Sequence, residues 1–129
     1  YVFPVSGKGL WSTIYGYLAL EPDGVTLKGI SFYKHGETPG LGGEIEARWF
    51  QQNFQGKKIY DVTSQTLRPV RVAKGRAADH VRGRDLEFVV DGISGATMTG
   101  NGVTEMLDHG LRVYDPYFQK VRQSQAPSL

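Results

Sequence analysis

The chain has 129 residues, 40% hydrophobic and 22% charged, with a formal net charge of +2; that is enough for one domain with a modest core and too little for two. Its basic residues are scattered among acids, so nucleic-acid binding is not expected, and no apolar run approaches the roughly 20 residues that cross a bilayer, so the chain is expected to be soluble. It contains no cysteine, which removes thiol nucleophiles, disulfides and cysteine-held metals, leaves redox chemistry to a bound cofactor, and with His35, His80 and His109 set far apart predicts no metal site.

In chain order, the first elements form a hairpin. Ser12–Leu20 and Val25–Tyr33 are β-rich runs joined by Glu21-Pro22-Asp23-Gly24, which suits a type I turn followed by a bulge. Lys34–Gly43 (KHGETPGLGG) has too much glycine and proline for regular structure and reads as a loop long enough to touch a ligand. Residues 44–54 are expected to form a short amphipathic helix with Ile45, Trp49 and Phe50 on one side and Gly56 as its stop. Leu67–Ala73 reads as an edge strand that tolerates Pro69, residues 74–84 as a basic loop, and Leu86–Val90 as a compact strand. From Asn101, the positions Val103, Met106, Leu107, Gly110, Leu111 and Tyr114 keep helical spacing up to an expected break at Asp115-Pro116. A final short helix or turn over residues 117–123 then precedes a polar tail. The expected architecture is α+β: a twisted, mainly antiparallel sheet with helices packed over it.

The chemistry gathers between the last strand and the long helix, in Asp91-Gly92-Ile93-Ser94-Gly95-Ala96-Thr97-Met98-Thr99-Gly100. Small residues there bring the backbone to a helix N-terminus, where free amides and the positive end of the dipole favour an anion, with the hydroxyls of Ser94, Thr97 and Thr99 as extra donors. The same letters also serve a plain connector whose Ser and Thr cap the helix. Gly95 to Gly100 has the glycine spacing of a P-loop, but Asn101-Gly102 stand where Lys and Ser/Thr belong. The nucleophile elbow fails because Ala96 occupies its second glycine position, no dinucleotide fingerprint occurs, and a Ser94 or Thr97 nucleophile would lack a nearby base. A module that holds a phosphate-bearing ligand reversibly remains open on these residues.

The string DGISGATMT resembles the flavinylation motif of the FMN-binding domain family, D-G-x-S/T-G-A-T-x-T, in which the threonine after Gly-Ala receives FMN as a phosphoester. Further matches run in order through the chain: Gly9-Leu10-Trp11-Ser12, Ala19-Leu20-Glu21-Pro22-Asp23-Gly24, His35 to Gly43, Gly56-Lys57-Lys58 and Ser94 to Thr97. They are similar to the C subunit of Na+-translocating NADH:quinone reductases, with the G subunit of the Rnf electron-transport complex as the nearest competitor. The resemblance implies one FMN-binding domain over residues 1–129, matching the carboxy-terminal part of the family's C subunit without its membrane anchor and a preceding soluble segment.

By the same resemblance, FMN is covalently carried on Thr97, with Ser94, Gly95, Ala96 and Thr99 around the phosphate and no catalytic residues in this domain. The loop supplies Glu37, Thr38, Leu41 and Gly42 beside the flavin, Thr38 through a hydrogen bond and Leu41 through apolar contact. Glu37 could instead cap the following helix or pair with a lysine, Trp11 could stack on the flavin or simply pack in the core, and Lys74 and Arg76 could offset phosphate charge or lie solvated. A separate flavin transferase is implied, using FAD as donor. The remaining partners are the other subunits of a bacterial inner-membrane redox complex that passes electrons from NADH to quinone and moves Na+, with this domain on the extracytoplasmic (periplasmic) side.

Overall fold

The computed structural model describes residues 1–125; the end of the expected polar tail, residues 126–129, lies outside them. Three strands, β1 (Val2–Lys8), β2 (Thr13–Leu20) and β3 (Leu27–Lys34), form an antiparallel sheet in the order β1-β2-β3. The expected hairpin is present, with Leu20 opposite Leu27 and register shifts at both ends of β2. Its turn is closed by Gly24 N–H donating to the Glu21 carbonyl at 3.1 Å. The Asp23 carboxylate accepts from the Val25 and Thr26 amides at 2.8 and 2.9 Å. β1 was not expected from sequence: Phe3 and Val5 alternate inward over too short a run, and Pro4 weakens the pattern. Pro4 is tolerated because β1 pairs with β2 alone, at the sheet edge.

After β3 come a 3₁₀ turn (Gly42–Glu46) and a short helix, α1 (Arg48–Gln52). The single helix expected over residues 44–54 is therefore broken at Ala47, which is extended (φ −67°, ψ 142°). Burial explains the break. Ile45, Phe50 and Phe54 are all fully buried, but five residues of helix would turn Ile45 about 140° away from Phe50, and resetting the chain at Ala47 brings both inward. Trp49, expected on the buried side, is 46% exposed and donates its indole N–H to Glu44 at 3.0 Å.

The next two expected strands are also fragmented. β4 (Tyr60–Asp61) pairs antiparallel with β5 (Thr66–Leu67), whereas β6 (Arg71–Val72) pairs parallel with β7 (Val89–Val90). The expected strand over residues 67–73 is thus divided around Pro69 between two ribbons. The one expected over residues 86–90 is mostly a 3₁₀ turn (Gly83–Phe88), and another (Ala77–Asp79) lies in the basic loop.

The last element, α2 (Thr97–Gln125), begins earlier than its apolar spacing suggests and runs straight through Asp115-Pro116. Pro116 removes one backbone hydrogen bond, but the buried stripe continues to Phe118 and Val121. Asp115 accepts from Gln119 and Arg122 across the proline, both at 3.0 Å, and Phe3 of β1 packs on Tyr114 and Phe118 with ring centroids at 4.5 and 5.2 Å. Tertiary burial overrides the local breaker. α2 lies directly on β1 because Gly102 admits the strand: a Cβ there would stand 2.6 Å from the Lys8 carbonyl oxygen. The core fills the space between sheet and helix, while Tyr17 and Tyr33 stack at 5.1 Å on the opposite, open sheet face. No helix of the described residues is long and apolar enough to cross a membrane.

The hairpin turn carries a pH signature. Burial pushes the Asp23 carboxyl up, but the amides of Thr26 and Val25, the Thr26 hydroxyl and Lys58 more than offset this, so it is held below the ordinary carboxylate value. Its stabilisation is complete above pH about 4 and is lost as pH falls through the lower folded value. Urea unfolding of the parent and of Asp23→Asn should therefore show a gap at pH 7 that closes in acid; a gap of the same size at pH 2 would contradict the assignment.

Candidate functional site

Three segments meet at the N-terminal end of α2 and enclose a cavity of about 320 Å³. The first is the turn after β1, which contributes Leu10 and Trp11; the second is the glycine loop, with Thr38, Leu41 and Gly42; the third runs from Gly95 to Thr99 at the entry to α2. The entry segment is anchored from behind. Asp91 accepts the Ala77 amide at 2.8 Å, Gly92 N–H donates to the Gly75 carbonyl at 2.7 Å, and Ala96 N–H to that of Ile93 at 3.0 Å. Gly95 turns there with φ +76°, so that Thr97 becomes the first residue of the helix. Amides of a helix's first turn lack intrahelical partners and sit at the positive end of its dipole.

The hydroxyls of this segment are not equivalent. Thr99 is 2% exposed and donates to Glu37 Oε1 at 2.9 Å. Thr97 is exposed, lines the cavity, and among the described residues its hydroxyl takes part in no hydrogen bond. Ser94 is exposed and is not part of the cavity lining. Of the three hydroxyls in this segment, only that of Thr97 both lines the cavity and is free of hydrogen bonds among the described residues.

Glu37 has a different place from Thr38, Leu41 and Gly42. It is 5% exposed, and its carboxylate accepts from the Leu10 amide at 2.9 Å, the Trp11 amide at 3.3 Å and the Thr99 hydroxyl at 2.9 Å. It neither caps α1 nor pairs with a lysine; it joins all three walls from outside the cavity. His35 holds the loop at the other end. Its Nδ1 accepts the Glu37 amide at 3.1 Å, which leaves Nε2 to donate to Glu46 at 2.5 Å.

Trp11 is exposed and lines the cavity, so the core-packing alternative does not apply. Lys74 and Arg76 are not among the lining residues. Two lining residues went unnamed as site candidates: Leu10, whose signal was its place beside Trp11, and Met98, 65% exposed, which occupies the variable position between the two threonines. With Trp11 and Leu41, which are also exposed, they add apolar side chains to a cavity that the helix entry, Gly95 to Thr99, lines as well.

A larger groove, about 760 Å³, lies between the β4–β5 ribbon and the C-terminal half of α2. It contains none of the residues named from sequence as cofactor-binding candidates. Its guanidinium, Arg122, donates through Nε to the Gly24 carbonyl and through one terminal nitrogen to Asp115, both at 3.0 Å, and stacks over Tyr60 at 4.0 Å, while its other terminal nitrogen is buried without a partner among the described residues. Chemistry rather than size therefore selects the smaller cavity.

A family model described as FMN-binding domain matches residues 9–112. The C subunit of the Na(+)-translocating NADH-quinone reductase of Yersinia pestis is 41% identical over 124 residues, covering 95% of this chain and 44% of that protein. Its Vibrio campbellii counterpart is 43% identical over 123 residues, covering 94% and 44%. Among solved structures, the C subunit of the same reductase from Parabacteroides distasonis matches with a TM-score of 0.80 at 40% identity, over 92% of this chain and 56% of that one. Shewanella oneidensis NqrC gives 0.75 at 36%, over 95% and 54%. The chain thus spans less than half the length of these two curated relatives.

The site's packing is testable without a ligand. A Cβ on Gly42 would collide with Thr99 Oγ1 and stand 3.1 Å from the Glu37 Cβ, whereas one on Gly29 of β3 would meet nothing within 4 Å. Gly42→Ala is expected to lower stability by about 1–3 kcal/mol in urea unfolding, with Gly29→Ala close to the parent; equal effects of the two would contradict this packing.

Proposed function

The chain belongs to the FMN-binding domain family, and from that premise we propose that it is an electron-carrying domain of the C subunit of a Na+-translocating NADH-quinone reductase, with FMN held by a phosphoester on Thr97. The observation that carries the proposal is the Thr97 hydroxyl, unengaged within the described residues and set in the first turn of α2 beside the cavity. The fit to a flavin phosphate is good on chemical grounds. Helix-entry amides and the dipole favour its charge, Gly95 and Ala96 permit close approach, and Leu10, Trp11, Leu41 and Met98 offer apolar contact to a ring.

Attachment would be a phosphoryl transfer in which the Thr97 hydroxyl takes the FMN phosphoryl group from FAD, with AMP as the leaving group and the hydroxyl proton passing to its phosphate or to water. None of the residues that line the cavity with Thr97 is an acid or a histidine, which is consistent with a separate flavin transferase supplying the base. Thr99 cannot substitute readily, because its hydroxyl is buried and committed to Glu37.

Once attached, FMN supplies reversible electron acceptance and donation. The helix-entry residues Gly95 to Thr97 would hold its phosphate, and Leu10, Trp11, Leu41 and Met98 would offer apolar contact to its ring. A cavity near 320 Å³ is at the small end of ligand sites, so non-covalent enclosure would be weak and a covalent tether has a clear physical use. The domain carries no nucleotide-binding fingerprint and takes electrons from, and gives them to, other subunits of the complex, on its extracytoplasmic face.

The test is intact mass under denaturing conditions after coexpression with a flavin transferase. The parent should gain the mass of FMN less one water and Thr97→Ala should gain nothing, while Thr97→Ser should retain some adduct. An adduct of the same yield on Thr97→Ala would overturn the assignment.

A further inference from the structure

We propose that Glu37 lowers the midpoint potential of the flavin through the charge of its buried carboxylate, without touching the flavin; this rests on the function proposed above. The inference starts from what surrounds the group. Both carboxylate oxygens act as acceptors, toward two amides and one hydroxyl, and no donor–acceptor pattern there calls for a proton on the group. Among the described residues no Lys, Arg or His makes an ion pair with it. The negative charge is satisfied by hydrogen bonds, which fix it in place without cancelling it.

Its location makes the charge count. Leu10, Trp11 and Thr99, its three partners, all line the cavity, so the carboxylate sits one residue's thickness behind the wall on which the flavin would rest. At 5% exposure it is little screened by water, and an unscreened charge acts over several ångströms with an effective dielectric far below that of water. Each electron accepted by a flavin adds negative charge unless a proton follows, so a fixed carboxylate makes the reduced state less favourable.

The arrangement also favours a carboxylate over a neutral group, which could hold only two of the three donors. Glu37→Gln keeps the size and one acceptor oxygen, but its NH₂ would face the Trp11 amide. Glu37 is thus a positioning residue for the three walls and, in addition, a source of field. These two roles separate in experiment because only the second depends on charge.

The experiment is spectroelectrochemical titration of the flavinylated full-length protein as parent, Glu37→Gln, Glu37→Asp and Thr99→Val, with thermal stability measured on the same samples. The proposal expects Glu37→Gln to shift the midpoint potential positive and Glu37→Asp, which keeps the charge, to stay near the parent even if both melt earlier. Thr99→Val removes one donor from the carboxylate and should shift the potential negative, an outcome that remains readable if Glu37→Gln fails to fold. Potentials unchanged in Glu37→Gln, or shifted equally by Glu37→Gln and Glu37→Asp, would overturn the charge role. A parent that takes up no flavin beside a competent transferase would overturn the proposed function itself, and this inference with it.

Discussion

A carboxylate shut away from water must find hydrogen-bond donors or bear a desolvation cost of several kcal/mol. Glu37 finds its donors in a turn 26 to 27 residues upstream and in a helix 62 residues downstream. Satisfying one charge therefore fixes three parts of the chain against one another, and the cavity is the space they enclose. The contacts are mutually exacting: Gly42 must lack a side chain because Thr99 comes so close, and His35 sets the position of the Glu37 amide through its ring nitrogen.

The rest of the fold supplies rigidity to this junction. The hairpin of β2 and β3 is a local structure with a well-bonded turn, and it holds the glycine loop at its far end. α2 is long and buried along one stripe, so its N-terminus, where Thr97 lies, is fixed by packing that extends to Phe118 and Val121. Small binding volume and rigid scaffold suit the proposed tether: retention would fall to the covalent bond, and the walls would need to provide only orientation and field.

Much of this was legible in the letters. The hairpin followed from β-rich runs around Glu21-Pro22-Asp23-Gly24, and eight of the ten named site residues line one cavity, where the anion chemistry of the SGATMT segment and the family resemblance of the glycine loop point to the same end of α2. Two did not, for physical reasons. Ser94 lies before the turn at Gly95 and outside the lining, and Glu37 is drawn behind the wall by donors distant in sequence. What local pattern could not show was tertiary compensation. Pro116 looked like a helix stop until the burial of Phe118 and Val121 was known, Ala47 breaks a helix whose composition is helical, and β1 gains its place by pairing with β2 and by packing Phe3 on α2.

The account is tested most directly by locating the flavin on the polypeptide. Trypsin should release residues 85–112 as one peptide, which contains Ser94, Thr97, Thr99 and Thr104 together, and fragmentation of that peptide distinguishes the hydroxyls. The account predicts the flavin phosphate on Thr97, with Thr99 unmodified. Flavin phosphate on Thr99 or Ser94 would contradict it, because the first would require breaking the Glu37 junction and the second would put the tether outside the cavity.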